Sequence, residues 1–435
     1  MPSLYDQTDG RKPSHLDLLI AALIATKVDW FRVNRILQQE LVMIRKGRLL
    51  TPGPTQLLPS AQLAMAAATM HHRTAEFRAL YSRVLADLKT FVGSKNDVVL
   101  FTASGTGAME AAVANLTSPG DKVLVVSAGK FGERWESLAK TYGCAVETVR
   151  APYGETVTPQ QVKAALKAEH KVLYMQATES STGVRHDVEG IARVLRGSDT
   201  LLVTDAITGL GTTQFDVDAW GVDVIIGGSQ KAVMIPPGLA YCAVSDRAWQ
   251  RMETTKNPRY YFDLRKERKN GAKGESSYTP STALVAALAA ALDYISEQGG
   301  GDLAAGRELL IQNAETAAAM TRAAATALGL QLFSTASPGA ALTAIASPGS
   351  IDSGEIVKAF RNRFGSVIAN GQGEMKGKLF RIAHLGYYDY LDTIGAIGAL
   401  EHALAGLGYA VKLGTGLQAA QQVYAESERT LAMAR

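Results

Sequence analysis

Cysteine is nearly absent: two residues in 435, Cys144 and Cys242, each inside a short apolar stretch. That scarcity speaks against a disulfide framework and a metal site, and a reducing cytoplasm is the expected compartment. No run of five or more basic residues occurs, and the net charge is only +4. No nucleic-acid patch is therefore expected, and an anionic small molecule suffices to account for the basic surplus. Long hydrophobic runs are missing too. The longest near the N-terminus, Leu16 to Thr26, is too short to cross a bilayer, and Asp6, Asp9 and Asp17 lie among and before it, so neither a membrane span nor a signal peptide is expected. No internal repeat or low-complexity segment interrupts the chain.

What is present is ordinary globular composition, 47% hydrophobic and 20% charged, with length for two or three domains. Residues 14 to 46 alternate apolar and polar at helical spacing, with Ser14 available as a cap, and predict one or two amphipathic helices docked on the body or on a second subunit. From Ser94 onward short β-rich runs alternate with longer helical stretches, the pattern of a parallel sheet with helices on its faces. The expected strands are Val98 to Thr102, Lys122 to Ser127, Ala145 to Val149, Lys171 to Gln176, Leu201 to Asp205, Val222 to Ile226 and Leu239 to Val244. An alanine-rich helix, Ser281 to Ser296, leads into Gly299-Gly300-Gly301, a hinge-like punctuation. Residues 302 to 412 predict an α+β lobe with helices around 303 to 328, 353 to 363 and 391 to 406, and Gly416 to Arg435 one more polar helix. The expected division is an N-terminal helical extension (1–48), a large α/β domain with an N-terminal arm (49–295), a smaller α+β domain (296–412) and a C-terminal helical extension (413–435).

Three constellations carry chemistry. Gly228-Ser229-Gln230-Lys231 follows one apolar run, and Asp205 closes the run before it. A lysine at one strand end with an acid at the tip of the preceding strand is the pairing that pyridoxal phosphate chemistry needs. The amine forms an imine with the cofactor aldehyde, and the carboxylate keeps the pyridine nitrogen protonated so that the ring accepts electrons from the substrate's α-carbon. Alone, Asp205 reads equally as a turn residue and Lys231 as a solvated lysine, but the pair is stronger than its members, and Pro236-Pro237-Gly238 marks tightly turned backbone beyond it. The third constellation, Thr102 to Glu110, runs from a strand end through Gly105 and Gly107 into a helix, either a plain turn or a phosphate site built from exposed N–H groups and the helix dipole. It lacks the third glycine of a dinucleotide fingerprint, so a phosphate monoester is the better ligand.

The stretches Leu50-Thr51-Pro52-Gly53-Pro54-Thr55, His72-Arg73-Thr74-Ala75-Glu76-Phe77, Ser104-Gly105-Thr106-Gly107, Glu179-Ser180-Ser181-Thr182-Gly183-Val184, Asp205 and Gly228-Ser229-Gln230-Lys231 occur in that order. Together they resemble the alanine-glyoxylate / serine-pyruvate aminotransferases, class V pyridoxal phosphate enzymes of fold type I, over roughly residues 48 to 410. The resemblance implies pyridoxal 5'-phosphate as cofactor, a large domain with a mainly parallel seven-stranded sheet, and a homodimer with shared sites. It makes Lys231 the Schiff-base lysine, Asp205 the pyridinium partner, and Ser104, Gly105 and Thr106 the phosphate cup, supported by Gln230. Phe131 falls where the family stacks an aromatic on the cofactor ring; its alternative is a core phenylalanine. Ser180 lies by the ring oxygen or bonds its own backbone. Arg381 matches the arginine that holds the substrate carboxylate, or else makes a structural ion pair, and Gly53 lines the substrate side. Thr279 resembles the residue a second subunit lends to the phosphate site, although the family's aromatic three positions earlier is Ser276 here, with Tyr278 beside the threonine. The chain also carries about 48 residues before the family's usual start and some twenty beyond its last helix, expected to be oligomer or packing elements.

The expected reaction moves an amino group from a small α-amino acid, alanine- or serine-like, to a small 2-oxo acid such as glyoxylate or pyruvate. A lyase or cysteine desulfurase of the same fold is the alternative, but no cysteine follows Cys242, and Thr208 and Gln230 stand where desulfurases carry glutamine and histidine. Another β-elimination, a ureido-type transamination, or an accessory protein that kept the fold complete the alternatives.

Overall fold

Continuous apolar runs such as Leu201-Leu202-Val203 and Val224-Ile225-Ile226 belong to strands buried on both faces, and they form the centre of a seven-stranded sheet. The computed structural model describes residues 44–67, 70–349 and 351–434; the helices expected between residues 14 and 46 lie almost wholly outside the described residues. The strands are β1 (Asp97–Phe101), β2 (Lys122–Ser127), β3 (Ala145–Arg150), β4 (His170–Gln176), β5 (Leu201–Asp205), β6 (Val224–Gly228) and β7 (Ala240–Val244). Their spatial order is β1-β7-β6-β5-β4-β2-β3. Only β7 is antiparallel to its neighbours, so the expected mainly parallel sheet is borne out.

Side chains along each strand alternate between two cores. Leu100, Leu124, Leu173, Leu202 and Ile225 join one core with the helices Ala75–Val92, Val188–Leu195 and Thr282–Gln298. Val99, Val123, Val172, Val203 and Ile226 join the other with the helices Gly105–Leu116, Lys130–Thr141 and Asp246–Met252. The expected strand Val222 to Ile226 starts and ends two residues later than expected: Gly227 and Gly228 pair with Tyr241 and Ala240, because a partner strand holds glycines that weak β propensity alone would leave in a turn. The backbone also approaches closely there, since a Cβ on Gly227 would lie 2.6 Å from the Tyr241 hydroxyl.

Beyond the helix Thr282–Gln298, Gly300 and Gly301 take positive φ and the helix Leu303–Ala327 follows. A second, three-stranded antiparallel sheet has β10 (Leu379–Ala383) between β8 (Leu342–Ala346) and β9 (Ala369–Asn370). Its core is separate, built from Ile345, Phe360, Phe380, Ile382, Leu400 and Leu404 with the helices Ser353–Phe364 and Tyr390–Gly406. The expected last helix covers Thr415–Ala434. The N-terminal arm reaches this sheet: Arg48 and Leu49 pair in parallel with Ser366 and Val367, and Ala383 N–H donates to the Leu50 carbonyl at 3.0 Å. Among the described residues, no helix is long and apolar enough to cross a membrane.

Candidate active site

Asp205 ends β5, Lys231 lies three residues past β6, and the segments after β1, β2 and β4 open at the same edge of the sheet. Ligands of parallel α/β sheets bind at this carboxyl edge. Lys231 and Asp205 are both buried. Burial pushes the Asp205 carboxyl up to about 6, against a 2.9 Å bond from Ile207 N–H and the charges of Lys231 and Arg134. Burial also holds the Lys231 ammonium down to about 8; Asp205 opposes that shift, whereas Arg381 and Arg134 add to it. The two groups feel each other, and each is tuned toward neutrality, as a proton-transfer amine requires.

The arm clamps the lysine. Lys231 Nζ donates to the Pro52 carbonyl, Thr55 N–H donates to Gln230 O at 3.2 Å, and the Thr55 hydroxyl donates to Lys231 O at 3.1 Å. Gly53 has φ 131°, and a Cβ there would sit 2.7 Å from Lys231 Cε, so only glycine leaves space beside the amine. On the far side Met234, buried and non-glycine, holds φ 58° and closes a turn onto Lys231 O at 3.0 Å. Strain of this kind persists only where the surroundings over-determine it.

Ser104 caps the helix Gly105–Leu116 without any side-chain bond to it and is exposed. By contrast Thr74, Asp187, Ser245 and Asp302 each cap their own helix. The first N–H groups at Gly105 and Thr106 are thus left for a ligand. A Cβ on Gly105 would lie 3.0 Å from Ile207 Cγ1, which lets that turn approach the loop after Asp205. Phe131 is half-buried at the start of the helix Lys130–Thr141, with Arg134 Cζ 4.7 Å from its ring centroid. Its N–H and that of Gly132 donate to Glu179 Oε2 at 3.0 and 3.1 Å. Glu179 is itself buried and accepts from Ser181 N–H and Oγ; burial raises its carboxyl against these bonds.

Arg381, on β10, is buried and makes no ion pair among the described residues. Its Nη1 donates to Ser180 O at 2.6 Å and its Nη2 to Asn370 O at 2.5 Å, while Nε has no partner. Burial lowers it to about 10, against the pull of Glu179. The alternative of a structural ion pair is therefore not what the geometry contains. Ser180 is buried, with its carbonyl fixing Arg381. Thr279 is exposed and shares a small cavity with Thr102, Tyr261 and Tyr278; the Ser276 hydroxyl bonds Tyr278 O.

These residues fit pyridoxal phosphate: an amine tuned toward its neutral form, a buried carboxyl whose desolvation a cationic ring nitrogen would offset, an uncapped helix N-terminus, and a buried donor without a partner, Arg381 Nε. Sequence reasoning passed over the Pro52 carbonyl, Glu179, Arg134 and Asn370. Glu179 begins the Glu179-Ser180-Ser181-Thr182-Gly183 motif, and Arg134 falls three residues after Phe131, on the same helical face; motif membership was the available signal for the one and spacing for the other.

A sequence profile described as Aminotransferase class-V matches residues 58–331. The chain is 39% identical to a protein of a Synechococcus species named "Soluble hydrogenase, small subunit", over 87% of this chain and 98% of that one. It is 33% identical to the L-aspartate–glyoxylate aminotransferase of Paracoccus denitrificans, over 88% and 98%. A solved aspartate aminotransferase of subgroup IV from Thermus thermophilus superposes with TM-score 0.76 at 35% identity, covering 82% of this chain and 99% of that one.

Proposed function

The chain belongs to the class V aminotransferases, pyridoxal phosphate enzymes, and we propose that within them it moves an amino group from a small α-amino acid, alanine- or serine-like, to a small 2-oxo acid such as glyoxylate or pyruvate. The observation that carries the proposal is the Lys231 amine, buried and held down to about 8 within electrostatic reach of both Asp205 and Arg381. When bound, pyridoxal phosphate supplies an electron sink for the bond broken at the substrate's α-carbon.

In this reading Lys231 is the amine that carries the cofactor, and once released it takes the proton from the α-carbon and returns it during transfer. Asp205 holds a proton at the ring nitrogen. Ser104, Gly105 and Thr106, with Gln230, would hold the phosphate; Phe131 would support the ring and Ser180 its oxygen side. Arg381 binds the substrate carboxylate through its guanidinium fork, with Nε still free to donate. Gly53 keeps the substrate side open but narrow, which favours small side chains. Thr279, exposed on this subunit, serves the phosphate of a second one, which makes the active form a homodimer. The oxo-acid half of the name carried by the Paracoccus relative supports glyoxylate as acceptor. An accessory role, the reading closest to the Synechococcus protein's name, gains nothing from a site in which Lys231, Asp205 and Arg381 are all in place.

The test is the visible absorbance of the holoenzyme. Loss of its band on adding alanine or serine, and return on adding glyoxylate or pyruvate, is expected; a band indifferent to every small amino acid would refute the substrate assignment.

A further inference from the structure

The phosphate cup described above consists of neutral donors: backbone N–H groups at Gly105 and Thr106, hydroxyls, and an amide. A helix N-terminus carries roughly +0.5 charge, whereas a phosphate monoester at neutral pH carries about −1.5 to −2. The cup alone leaves most of that charge uncompensated. Arg134 stands beside it. Its Nη1 donates to Thr106 Oγ1 at 3.0 Å, so the Thr106 oxygen is engaged as an acceptor while its own O–H is free to donate elsewhere. The guanidinium lies over Phe131, and its charge is felt by both Asp205 and Lys231.

Most telling is what Arg134 lacks. On the same helix Lys130 pairs with Glu133 at 2.8 Å and Lys140 with Glu136 at 2.6 Å, yet among the described residues no carboxylate lies within ion-pairing distance of Arg134. A half-buried cation left without a counter-ion beside a donor-rich turn is an incomplete anion site. We propose that Arg134 supplies the positive charge that holds the cofactor's phosphate, an inference that rests on the pyridoxal phosphate reading of this site.

The experiment titrates apo-protein with pyridoxal phosphate and, separately, with pyridoxal, which keeps the ring and aldehyde but lacks the phosphate, following protein fluorescence in the wild type, R134Q and R134K. The expected result is a loss of about 10- to 100-fold in pyridoxal phosphate affinity for R134Q, with pyridoxal affinity unchanged. R134K, which keeps the charge without the fork, should fall between the two. Equal weakening of both ligands would make Arg134 a packing residue for Phe131, and no change in either would remove it from the site; both outcomes overturn the proposal. Wild type that binds neither ligand would instead overturn the reading of the site on which the inference rests.

Discussion

Three solvent-accessible ion pairs at one edge of the seven-stranded sheet contrast with three cations at the other. At the amino edge of the parallel strands, Arg251 meets Asp121 at 2.5 Å, Arg268 meets Asp97 at 2.6 Å and Lys122 meets Glu169 at 2.8 Å, all with solvent access. At the carboxyl edge Lys231, Arg134 and Arg381 pair with no carboxylate among the described residues, and Lys231 and Arg381 are buried. Paired charges need nothing further, whereas a buried cation bonded only to carbonyls retains a desolvation cost that an anionic ligand can offset. On the proposed reading, phosphate and substrate carboxylate would supply the partners that Arg134 and Arg381 lack among the described residues.

The comparison can be broken most decisively at Lys231. Lys231→Ala is expected to abolish the visible band on cofactor addition and to lower transamination by about 10,000-fold or more; a surviving band would move the amine elsewhere. Next is Asp205→Asn, read as apo-protein stability. The Asp205 carboxyl is raised to about 6 by burial, so the native state binds its proton more tightly than the unfolded chain. Its stabilising contribution is full below the ordinary aspartate range and is lost as pH rises through about 6. Asparagine, which does not titrate, should therefore gain up to about 3 kcal/mol relative to wild type between pH 4 and pH 8, and thermal melts of both forms across that range check the sign.

Arg381→Ala is expected to raise KM for both amino and oxo acid by about 10- to 100-fold, with Arg381→Lys recovering only part. A loss confined to kcat would instead argue that the arginine shapes the lobe rather than the substrate. A smaller effect tests the tuning of Lys231 itself. Only its neutral amine attacks an aldehyde, so cofactor capture by apo-protein should rise about tenfold from pH 7 to pH 9 and then level off; a rise delayed beyond pH 10 would show an ordinary lysine. Smallest of all, Arg268→Ala at the opposite edge removes a solvent-exposed pair and is expected to cost less than about 1 kcal/mol with KM unchanged. A kinetic effect there would erase the distinction between the edges.

Much of this was legible in the chain. Buried parallel strands need unbroken apolar runs bounded by turn residues, so all seven strands of the sheet could be read to within two residues, as could the helices Thr282–Gln298 and Leu303–Ala327. Asp205 was legible because it closes such a run and Lys231 because it follows the next by a short turn, which puts both at the same edge of a parallel sheet. Gly227 and Gly228 misled, because glycine looks like a turn until the register with Ala240 and Tyr241 is known.

The sequence by itself therefore determined the sheet, its two faces and the lysine–acid pair, since these follow from periodicity and strand ends, which are local. Only the tertiary structure decided that the Pro52 carbonyl meets the lysine, that Glu179 holds the turn beneath Phe131, and that Arg134 reaches Thr106 without meeting a carboxylate among the described residues. Those facts join residues 28 to 179 positions apart, and the significance of Arg134 lies in a partner it does not have. A missing counter-ion has no signature in the order of residues; it exists only once packing has kept the acids of the described residues out of reach.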